Sequence, residues 1–310
     1  MPPALPDVAP ARAAPAAPPP VVSVLGGDER ERDLIIALSR AGHRVRVCGR
    51  VLSAPELAAG AAESPAPAEA LEASTIIAPL AGISGDGQVF SRQPHPGLTI
   101  DAPALSSLRP GTLLCSGAVG EPLRSALTAR GVRFVDLAAD DELAILNSIP
   151  SAEGAMQMAM EQSPFCLHGA AALVLGFGRT AQTLALMLRG IGSQVTVVAR
   201  SPAARASAEA FCLYAAPFGD LSTLLQTALF CFNTVPAPVL TADTLAGANP
   251  ELTIIDLASR PGGTDFAAAH AAGLRATLAP GLPGLVAPRT AGRLLSKVIL
   301  GLLEENRYDT

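Results

Sequence analysis

Charged residues are scarce in this chain, and lysine is almost absent. Only 16% of the 310 residues are charged, against 49% that are hydrophobic, and the net charge is −5. This mild negative charge gives no electrostatic basis for binding nucleic acid or an anionic membrane surface. The apolar content is enough for two cores in which strands are covered on both faces. Lys297 is the only lysine, so a mechanism that needs a lysine in the substrate site must use that residue.

Metal-binding cysteine patterns and long apolar runs are absent as well. No CxxC spacing occurs, which favours buried thiols in a reducing compartment over a metal site or a disulfide framework. The five cysteines are Cys48, Cys115, Cys166, Cys212 and Cys231. Proline, glycine or charge interrupts every apolar run before it reaches the length of a membrane span. Residues 1–20, rich in proline and alanine, lack a signal-peptide pattern and are typical of a disordered arm, so we expect a cytoplasmic protein.

After this arm, short β-branched runs alternate with helical patterns. Residues 21–150 contain five such runs, from VVSVL to RFVDLA, which predict a parallel sheet with right-handed crossovers. Asp28 is predicted to be the N-cap of the first helix, with Glu31 three residues later. Two segments break the alternation. Residues 53–73 predict a poorly formed helix or a loop, and residues 82–111 predict either a binding loop or a surface hairpin without a role.

The second half of the chain repeats the alternation more completely. Residues 140–162 form a long helical pattern that we expect to be interrupted at Pro150. Six short apolar runs follow, and they make a complete dinucleotide-binding unit over residues 151–287. The closing helix, residues 288–306, carries an apolar stripe and is expected to pack on the first domain or on the hinge. The predicted fold is α/β, with two Rossmann-like, doubly wound parallel sheets and a crevice between the domains.

A glycine fingerprint, LVLGFGRTA, stands between the first strand of this unit and its helix. Gly176 permits a tight turn, Gly178 lets the backbone approach a pyrophosphate, and Ala181 lets the helix pack closely on the strand. The helix N-terminus then offers free N–H groups to the phosphates. A structural glycine turn is the alternative. The predicted cofactor contacts of this segment are Gly176, Phe177, Gly178, Arg179 and Thr180.

The strand after the fingerprint ends on a positive charge, in VTVVARSP, where an acidic residue usually binds the ribose of NAD. Arg200 is followed by Ser201, and Arg205 lies one turn into the next helix. These three residues could hold a 2′-phosphate by charge-assisted hydrogen bonds, so we predict NADP as the cofactor. A solvated arginine at the start of a loop is the alternative.

Three further strands of the unit end in loops that contain proline or glycine. Because the carboxyl ends of parallel strands meet at one edge, these loops are expected to face the crevice where nicotinamide and substrate would meet. Turn chemistry alone would also explain them. The predicted cofactor contacts here are Asn233, Thr234, Val235 and Pro236 after the fourth strand, Asp256, Leu257 and Ala258 after the fifth, and Pro280 after the sixth.

The lysine and the histidines fit several dehydrogenase families badly. Amino-acid and shikimate dehydrogenases use a lysine in the substrate domain, whereas Lys297 lies on the final apolar helix. The 2-hydroxy-acid dehydrogenases use a histidine after the last strand of the cofactor unit, but His270 precedes that strand. His43 and His95 fall on predicted surface turns. His168 precedes the first strand of the unit, where it could orient the hinge or be purely structural.

Several motifs together resemble the A subunits of dipicolinate synthase. They are VLGFGRTA, NTVP, DLASRPGGTDF and APGLPGLVAPRTAG in the second half, and GGDER and NSIPSAEGAMQMAME in the first. The resemblance, over about residues 21–300, implies an NADP-linked oxidoreductase that works with a smaller, flavoprotein-like B subunit in the cytoplasm of a sporulating mother cell. The implied substrate is dihydrodipicolinate or its hydrated tetrahydro precursor. The implied product is dipicolinate, which is pyridine-2,6-dicarboxylate.

Such a reaction would remove a hydride and a proton from a ring that carries two carboxylates. Arginines bind carboxylates in bidentate fashion, so Arg30 and Arg260, each beside a predicted strand end, are candidate substrate contacts. Each could instead be an ordinary solvated arginine. Ser116 and Gly117 close a strand of the first domain, where backbone N–H groups could meet a carboxylate.

Ser151 and Glu153 follow the expected break at Pro150, between the two domains. Ser151 is a predicted substrate contact, and Glu153 is the predicted proton acceptor. Capping a helix is an ordinary role for Glu153, and the base could be water or belong to the partner subunit. No metal site is predicted. A nucleotide-binding scaffold without chemistry, an NADP-linked dehydrogenase of another small carboxylate, and a homo-oligomer all stay open.

Overall fold

A computed structural model describes residues 20–64, 66–92 and 98–305 of the chain. His95 and all but the last residue of the predicted arm therefore lie outside the described residues. The first half of the chain forms a six-stranded parallel sheet in the order β3-β2-β1-β4-β5-β6. Its strands are β1 (Val21–Leu25), β2 (Arg44–Cys48), β3 (Ala62–Glu63), β4 (Thr75–Ile77), β5 (Leu113–Ser116) and β6 (Arg133–Asp136). Its helices are α1 (Arg30–Arg40), α2 (Ala54–Ala58), α3 (Pro67–Leu71), α4 (Ala102–Ser106), α5 (Leu123–Ala129) and α6 (Asp141–Gln162).

The second half forms another six-stranded parallel sheet, in the order β12-β11-β10-β7-β8-β9. Its strands are β7 (Ala171–Leu175), β8 (Gln194–Val198), β9 (Tyr214–Ala216), β10 (Phe230–Asn233), β11 (Thr253–Asp256) and β12 (Arg275–Leu278). Its helices are α7 (Arg179–Gly190), α8 (Pro202–Ala210), α9 (Leu221–Leu225), α10 (Ala242–Leu245), α11 (Phe266–Ala271), α12 (Leu282–Val286) and α13 (Pro288–Glu305). The predicted α/β class, with two doubly wound parallel sheets, is confirmed.

Helix α6 joins the two halves, and Pro150 lies inside it. The expected interruption at Pro150 is therefore wrong. Leu143 packs in the core of the first half, whereas Ala152, Ala155 and Ala159 pack in the core of the second. Because apolar contacts hold the helix on both sides of the proline, they outweigh the one backbone hydrogen bond that proline cannot donate.

The final helix, α13, packs against α1 in the first half of the chain. Pro288 begins it, at a position where an N–H has no intrahelical partner in any case. Leu295, Val298 and Ile299 enter the same apolar core as Leu34 of α1. The chain thus completes its second sheet and then returns to cover a helix of the first.

One segment of the first half differs from its sequence pattern, and another is packed in a way that its pattern did not specify. The sequence prediction missed β3, because a two-residue edge strand among alanine and proline residues gives no strand pattern. Residues 82–111 include an antiparallel bridge between Ile83 and Val89, and both side chains are buried in an apolar core together with Leu98. The described parts of this connection, residues 82–92 and 98–111, therefore pack onto the domain.

Some surface predictions need correction. Cys166 and Cys212 are exposed because they stand in connections between elements, whereas Cys48, Cys115 and Cys231, which lie in strands, are buried. His43 is buried, since its N–H donates to the Leu38 carbonyl and folds the turn back under α1. The N-cap of α1 is Glu29 and not the predicted Asp28. None of the described helices is long and apolar enough to cross a membrane.

Candidate functional site

Residues 176–181 form a tight turn between β7 and α7. Gly176 has a φ of 91°, which favours glycine, and its N–H donates to the Val198 carbonyl at 2.8 Å. Gly178 is the N-cap of α7 and has no side chain with which to cap the helix. No group of the described residues accepts the N–H groups of residues 178–181. These free donors and the helix dipole together make an anion site.

The space around this turn fits a pyrophosphate. A Cβ added to Gly178 would meet no atom within 4 Å, so the backbone is open to an approaching ligand. A Cβ at Gly176 would lie 2.7 Å from Thr234 Oγ1, and Ala181 is completely buried against the sheet. Gly176 and Ala181 are thus required by packing, whereas Gly178 leaves room that the protein itself does not fill. The residues present fit a dinucleotide.

The end of β8 presents arginines beside this turn. Arg200 is exposed, and its guanidinium has no partner among the described residues. Arg205 donates from one terminal nitrogen to the carbonyls of Ala199, at 3.0 Å, and Arg200, at 2.9 Å. Ser201 is the N-cap of α8 and accepts the Ala204 N–H at 3.1 Å. The side chain of Arg200 is therefore free for a ligand, while Arg205 and Ser201 are partly used to shape the strand end.

The loop after β10 is held against the glycine turn by its own polar side chains. Asn233 is fully buried, and its amide both donates to the Val235 carbonyl and accepts the Val235 N–H. Thr234 Oγ1 donates to the Leu175 carbonyl at 2.7 Å, next to Gly176. These contacts make the loop rigid. Pro236 extends this loop from Val235.

Asp256 has a similar role in the loop after β11. Its fully buried carboxylate accepts the Ala258 N–H at 3.0 Å, the Gly263 N–H at 2.9 Å and the Thr264 hydroxyl at 2.6 Å. The Leu257 N–H donates to the Asn233 carbonyl, which joins this loop to the one after β10. The carboxylate is fully hydrogen-bonded inside the protein, so Asp256 supports the site as an organiser of the loop.

Two predicted contacts at this edge are exposed. Arg260 lies in the loop after β11, and its guanidinium makes no hydrogen bond or ion pair with the described residues. Pro280 is exposed just before Gly281, which begins the short helix α12. Arg179 is also exposed, and it pairs with Asp141 at 2.6 Å, which links the start of α7 to the start of α6.

A buried charged cluster in the first half lies next to α12. Asp28 and Arg30 form a bidentate pair, with both nitrogen–oxygen distances at 2.9 Å. Glu31 Oε2 accepts the Asp28 N–H at 2.6 Å, and its Oε1 has no partner among the described residues. A Cβ at Gly284 of α12 would lie 2.5 Å from Asp28 Oδ2, so this cluster meets the second half directly. Arg30 is a residue that the sequence predicts as a substrate contact, whereas the support that Asp28 and Glu31 give it is visible only in the structure.

The two carboxyls of this cluster, those of Asp28 and Glu31, have pKa values shifted in opposite directions. For Asp28, burial tends to raise the pKa, but the hydrogen bond and charge of Arg30 hold the pKa below its usual value. For Glu31, burial raises the pKa to about 7, and the neighbouring Asp28 charge adds to the rise. Asp28 is therefore ionised near neutral pH, whereas Glu31 is close to its own pKa. The GGDER motif was the signal that could have identified both carboxyls.

The remaining predicted substrate contacts, in the first half and the hinge, are buried or already hydrogen-bonded within the protein. The Gly117 N–H donates to the Pro79 carbonyl at 3.1 Å, so this conformation does not offer it to a substrate carboxylate. Ser116 is completely buried. Ser151 Oγ donates to the Asn147 carbonyl at 2.8 Å within α6.

Glu153 lies on the exposed side of α6, a full three turns after the helix begins at Asp141. A role as the N-terminal cap of a helix is therefore excluded, because the helix does not break at Pro150. No described residue forms a hydrogen bond or an ion pair with the Glu153 carboxylate. The structure does not bring Glu153 together with the charged cluster or the glycine turn through any direct contact.

Two domains with parallel sheets, one of which carries an open glycine turn, define a protein with a dehydrogenase-like fold. The solved transhydrogenase from Sinorhizobium meliloti shares this fold, with a TM-score of 0.66 at 16% identity over 92% of each chain. The first half, residues 21–138, matches the family model of the dipicolinate synthase A subunit N-terminal domain.

The dipicolinate synthase A subunit of Bacillus subtilis (strain 168) is 36% identical over 231 residues, which are 74% of this chain and 78% of that relative. The crystal structure of the dipicolinate synthase A subunit from Bacillus halodurans matches with a TM-score of 0.85 at 31% identity, over 92% of this chain and 97% of that one. This chain belongs to the family of dipicolinate synthase A subunits, and the resemblance drawn from its motifs is confirmed.

Proposed function

We propose that this chain is an NADP-dependent oxidoreductase that forms dipicolinate from dihydrodipicolinate or its hydrated tetrahydro precursor. The observation that carries the proposal is the open turn at Gly178, whose free N–H groups and uncrowded space fit a pyrophosphate. The Bacillus subtilis relative belongs to a dipicolinate synthase, which supports the product. The unpaired guanidinium of Arg200 at the end of β8 supports NADP over NAD.

The residues of the crevice would bind and orient the substrate ring. The nicotinamide, when bound, would accept a hydride from one ring carbon, and loss of a proton from a neighbouring position completes the aromatic ring. Asn233 and Asp256 keep two loops rigid, which favours one orientation of the reacting atoms. Arg260 would bind one carboxylate. Arg30 would bind the other through the terminal nitrogen that its pair with Asp28 leaves free.

Glu153 stays the predicted proton acceptor, and its exposed position makes the prediction easy to test. Glu153→Gln should reduce dipicolinate formation without changing NADPH affinity if Glu153 takes the proton. Unchanged turnover in this variant would assign the step to water or to the partner subunit.

The Arg200 assignment is tested by comparing the two nucleotides. Wild-type protein should bind NADPH more tightly than NADH, measured by nicotinamide fluorescence. Arg200→Asp should weaken NADPH binding by about tenfold or more, because it replaces a charge-assisted contact by repulsion, and NADH binding should stay equal or improve. Arg130→Asp, at another exposed arginine, is the control. Equal affinity of the wild-type protein for both nucleotides would contradict the NADP assignment.

We further propose that the chain works with a flavoprotein-like B subunit in the cytoplasm of a sporulating mother cell. The Bacillus subtilis relative is one subunit of its synthase, which supports a partner. The second candidate function is a nucleotide-binding scaffold without chemistry, which the exposed position of Glu153 favours. Dipicolinate absorbs in the ultraviolet, so its formation with and without the B subunit separates the two. Product that requires B and is unaffected by Arg260→Ala would favour the scaffold.

A further inference from the structure

A basic groove runs between α1 and α13, on the outer face of the first half. Its volume is about 470 Å³. We call it the α1–α13 groove. Among the residues that the structure describes, only Asp33 contributes a carboxylate to its lining, although the whole chain carries a net charge of −5. Its cationic side chains are Arg32, Arg40, Arg289, Arg293 and Lys297.

Most of this positive charge is not neutralised by the protein. Arg289 lies 3.4 Å from Asp33, and Lys297 lies 2.5 Å from Glu142. The guanidinium groups of Arg32, Arg40 and Arg293 have no acceptor among the described residues, and the Nε of Arg32 is buried without a partner. Asp33 Oδ2 is also buried without a hydrogen-bond partner. The three unpaired guanidinium groups still leave an excess of positive charge, so the groove would stabilise an anionic group that entered it.

Apolar side chains between these cations distinguish the groove from an ordinary solvated helix face. Ile36, Pro55 and Leu300 line it. At one end of the groove, Lys297 pairs with Glu142 of α6. Ile145 and Ile149 lie on the same face of α6 as Glu142, and they are 53% and 42% exposed. Exposed apolar side chains next to a charged rim are typical of protein-binding surfaces.

Residues 1–19 and 306–310 carry no excess of acidic residues that would match this groove. Residues 1–19 contain one aspartate and one arginine, and residues 306–310 also contain one of each. A long polyanion such as nucleic acid would meet the acidic remainder of the surface. A short acidic segment of another protein, with apolar side chains between its carboxylates, matches both the cations and the apolar lining.

We propose that the α1–α13 groove docks an acidic, partly apolar segment of the partner subunit, an inference that rests on the partnership proposed above. Carboxylates of that segment pair with Arg32, Arg40 and Arg293, and its apolar side chains contact Ile36 and Leu300. The groove is built from α1 and α13, so docking requires the final helix to be in place on the first half.

The test measures binding of the purified B subunit to the full chain by calorimetry at about 0.05 M and about 0.5 M salt. Arg40→Glu/Arg293→Glu should weaken binding by about tenfold or more at low salt and remove most of the salt dependence. Arg109→Glu/Arg130→Glu, which changes the same charge at exposed arginines elsewhere in the first half, should stay within about twofold of the wild type. NADPH affinity should be the same in all three proteins, which shows that they are folded.

Equal binding of B by the two double variants would overturn the docking site and leave the partnership intact. Failure of the wild-type chain to bind B would overturn the partnership as well. Two further measurements test other occupants of the groove. Sedimentation would show self-association, and its loss in Arg40→Glu/Arg293→Glu would assign the groove to a second copy of the chain. Calorimetry after deletion of residues 1–19 would assign the groove to the chain's own arm if the B subunit then bound more tightly. Either result would overturn the proposal.

Discussion

The two halves of the molecule share one scaffold but use its glycine turn in opposite ways. β1 and β7 both lead into a glycine with positive φ, Gly26 and Gly176, and then into a helix. In the second half, the N–H groups that follow are free. In the first half, Glu31 accepts the Asp28 N–H, and Asp28 accepts the Arg30 N–H at 3.0 Å. The first half therefore fills its own anion site with carboxylates.

The second strand of each half, β2 or β8, is followed by an arginine that is paired in the first half and free in the second. Arg50 and Arg200 each stand two residues after a strand end, after β2 and β8. Arg200 is exposed and unpaired, whereas Arg50 is buried 3.2 Å from Glu56, which is also buried. The strand–turn–helix alone therefore does not create an open anion site in this scaffold. The site is open only where the chain places no side chain of its own in it.

The largest expected effect is on the stability of the folded protein when Arg50 or Arg200 is replaced. Arg50→Met leaves Glu56 as a buried, uncompensated carboxylate, which should lower the free energy of unfolding by about 3–5 kcal/mol. Arg200→Met, the matched exposed position, should change it by less than about 0.5 kcal/mol. Urea denaturation measures both. Similar midpoints for the two variants would remove the contrast.

The next effect tests whether the second turn can be closed as the first one is. Gly178→Asp places a carboxylate where Asp28 stands in the first half, and it would accept the free N–H groups and repel phosphate. NADPH binding should weaken by about 100-fold. Thermal stability should be retained, because a Cβ at Gly178 meets no atom within 4 Å. Gly219→Asp, at another uncrowded glycine, should bind NADPH normally. Retained binding in Gly178→Asp would place the nucleotide elsewhere.

The third effect is a pH dependence of stability that comes from the charged cluster of the first half. The pKa of Glu31 rises from 4.5 to about 7 on folding, so the folded state keeps a proton that the unfolded state releases. The contribution of Glu31 to stability is therefore complete below pH 4.5 and is lost as the pH rises to about 7. Glu31→Gln should flatten the decline in urea midpoint across this range, and Glu153→Gln should not. Parallel pH profiles for wild type and Glu31→Gln would contradict the assignment.

Sequence patterns predicted the second half better than the first. The runs of that half account for all six of its strands, because apolar runs separated by clear turns are locally unambiguous. The short edge strand β3 was missed, since pairing with β2 creates it and its own residues do not. From the sequence, Asp28 and Glu31 were predicted to cap the first helix. Only their burial beside Arg30 turned them into a charged cluster next to Gly284.

By itself, the sequence determined the α/β class, the family and the glycine turn, because strand periodicity and the backbone freedom of Gly176 are local properties. Only the tertiary structure decided that α6 continues through Pro150, and that the first glycine turn is closed while the second stays open. It also decided that α13 packs on α1, where the sequence had left the first domain and the hinge as alternatives. Those outcomes depend on contacts between residues far apart in the chain. No local pattern encodes the burial and charge that such contacts produce.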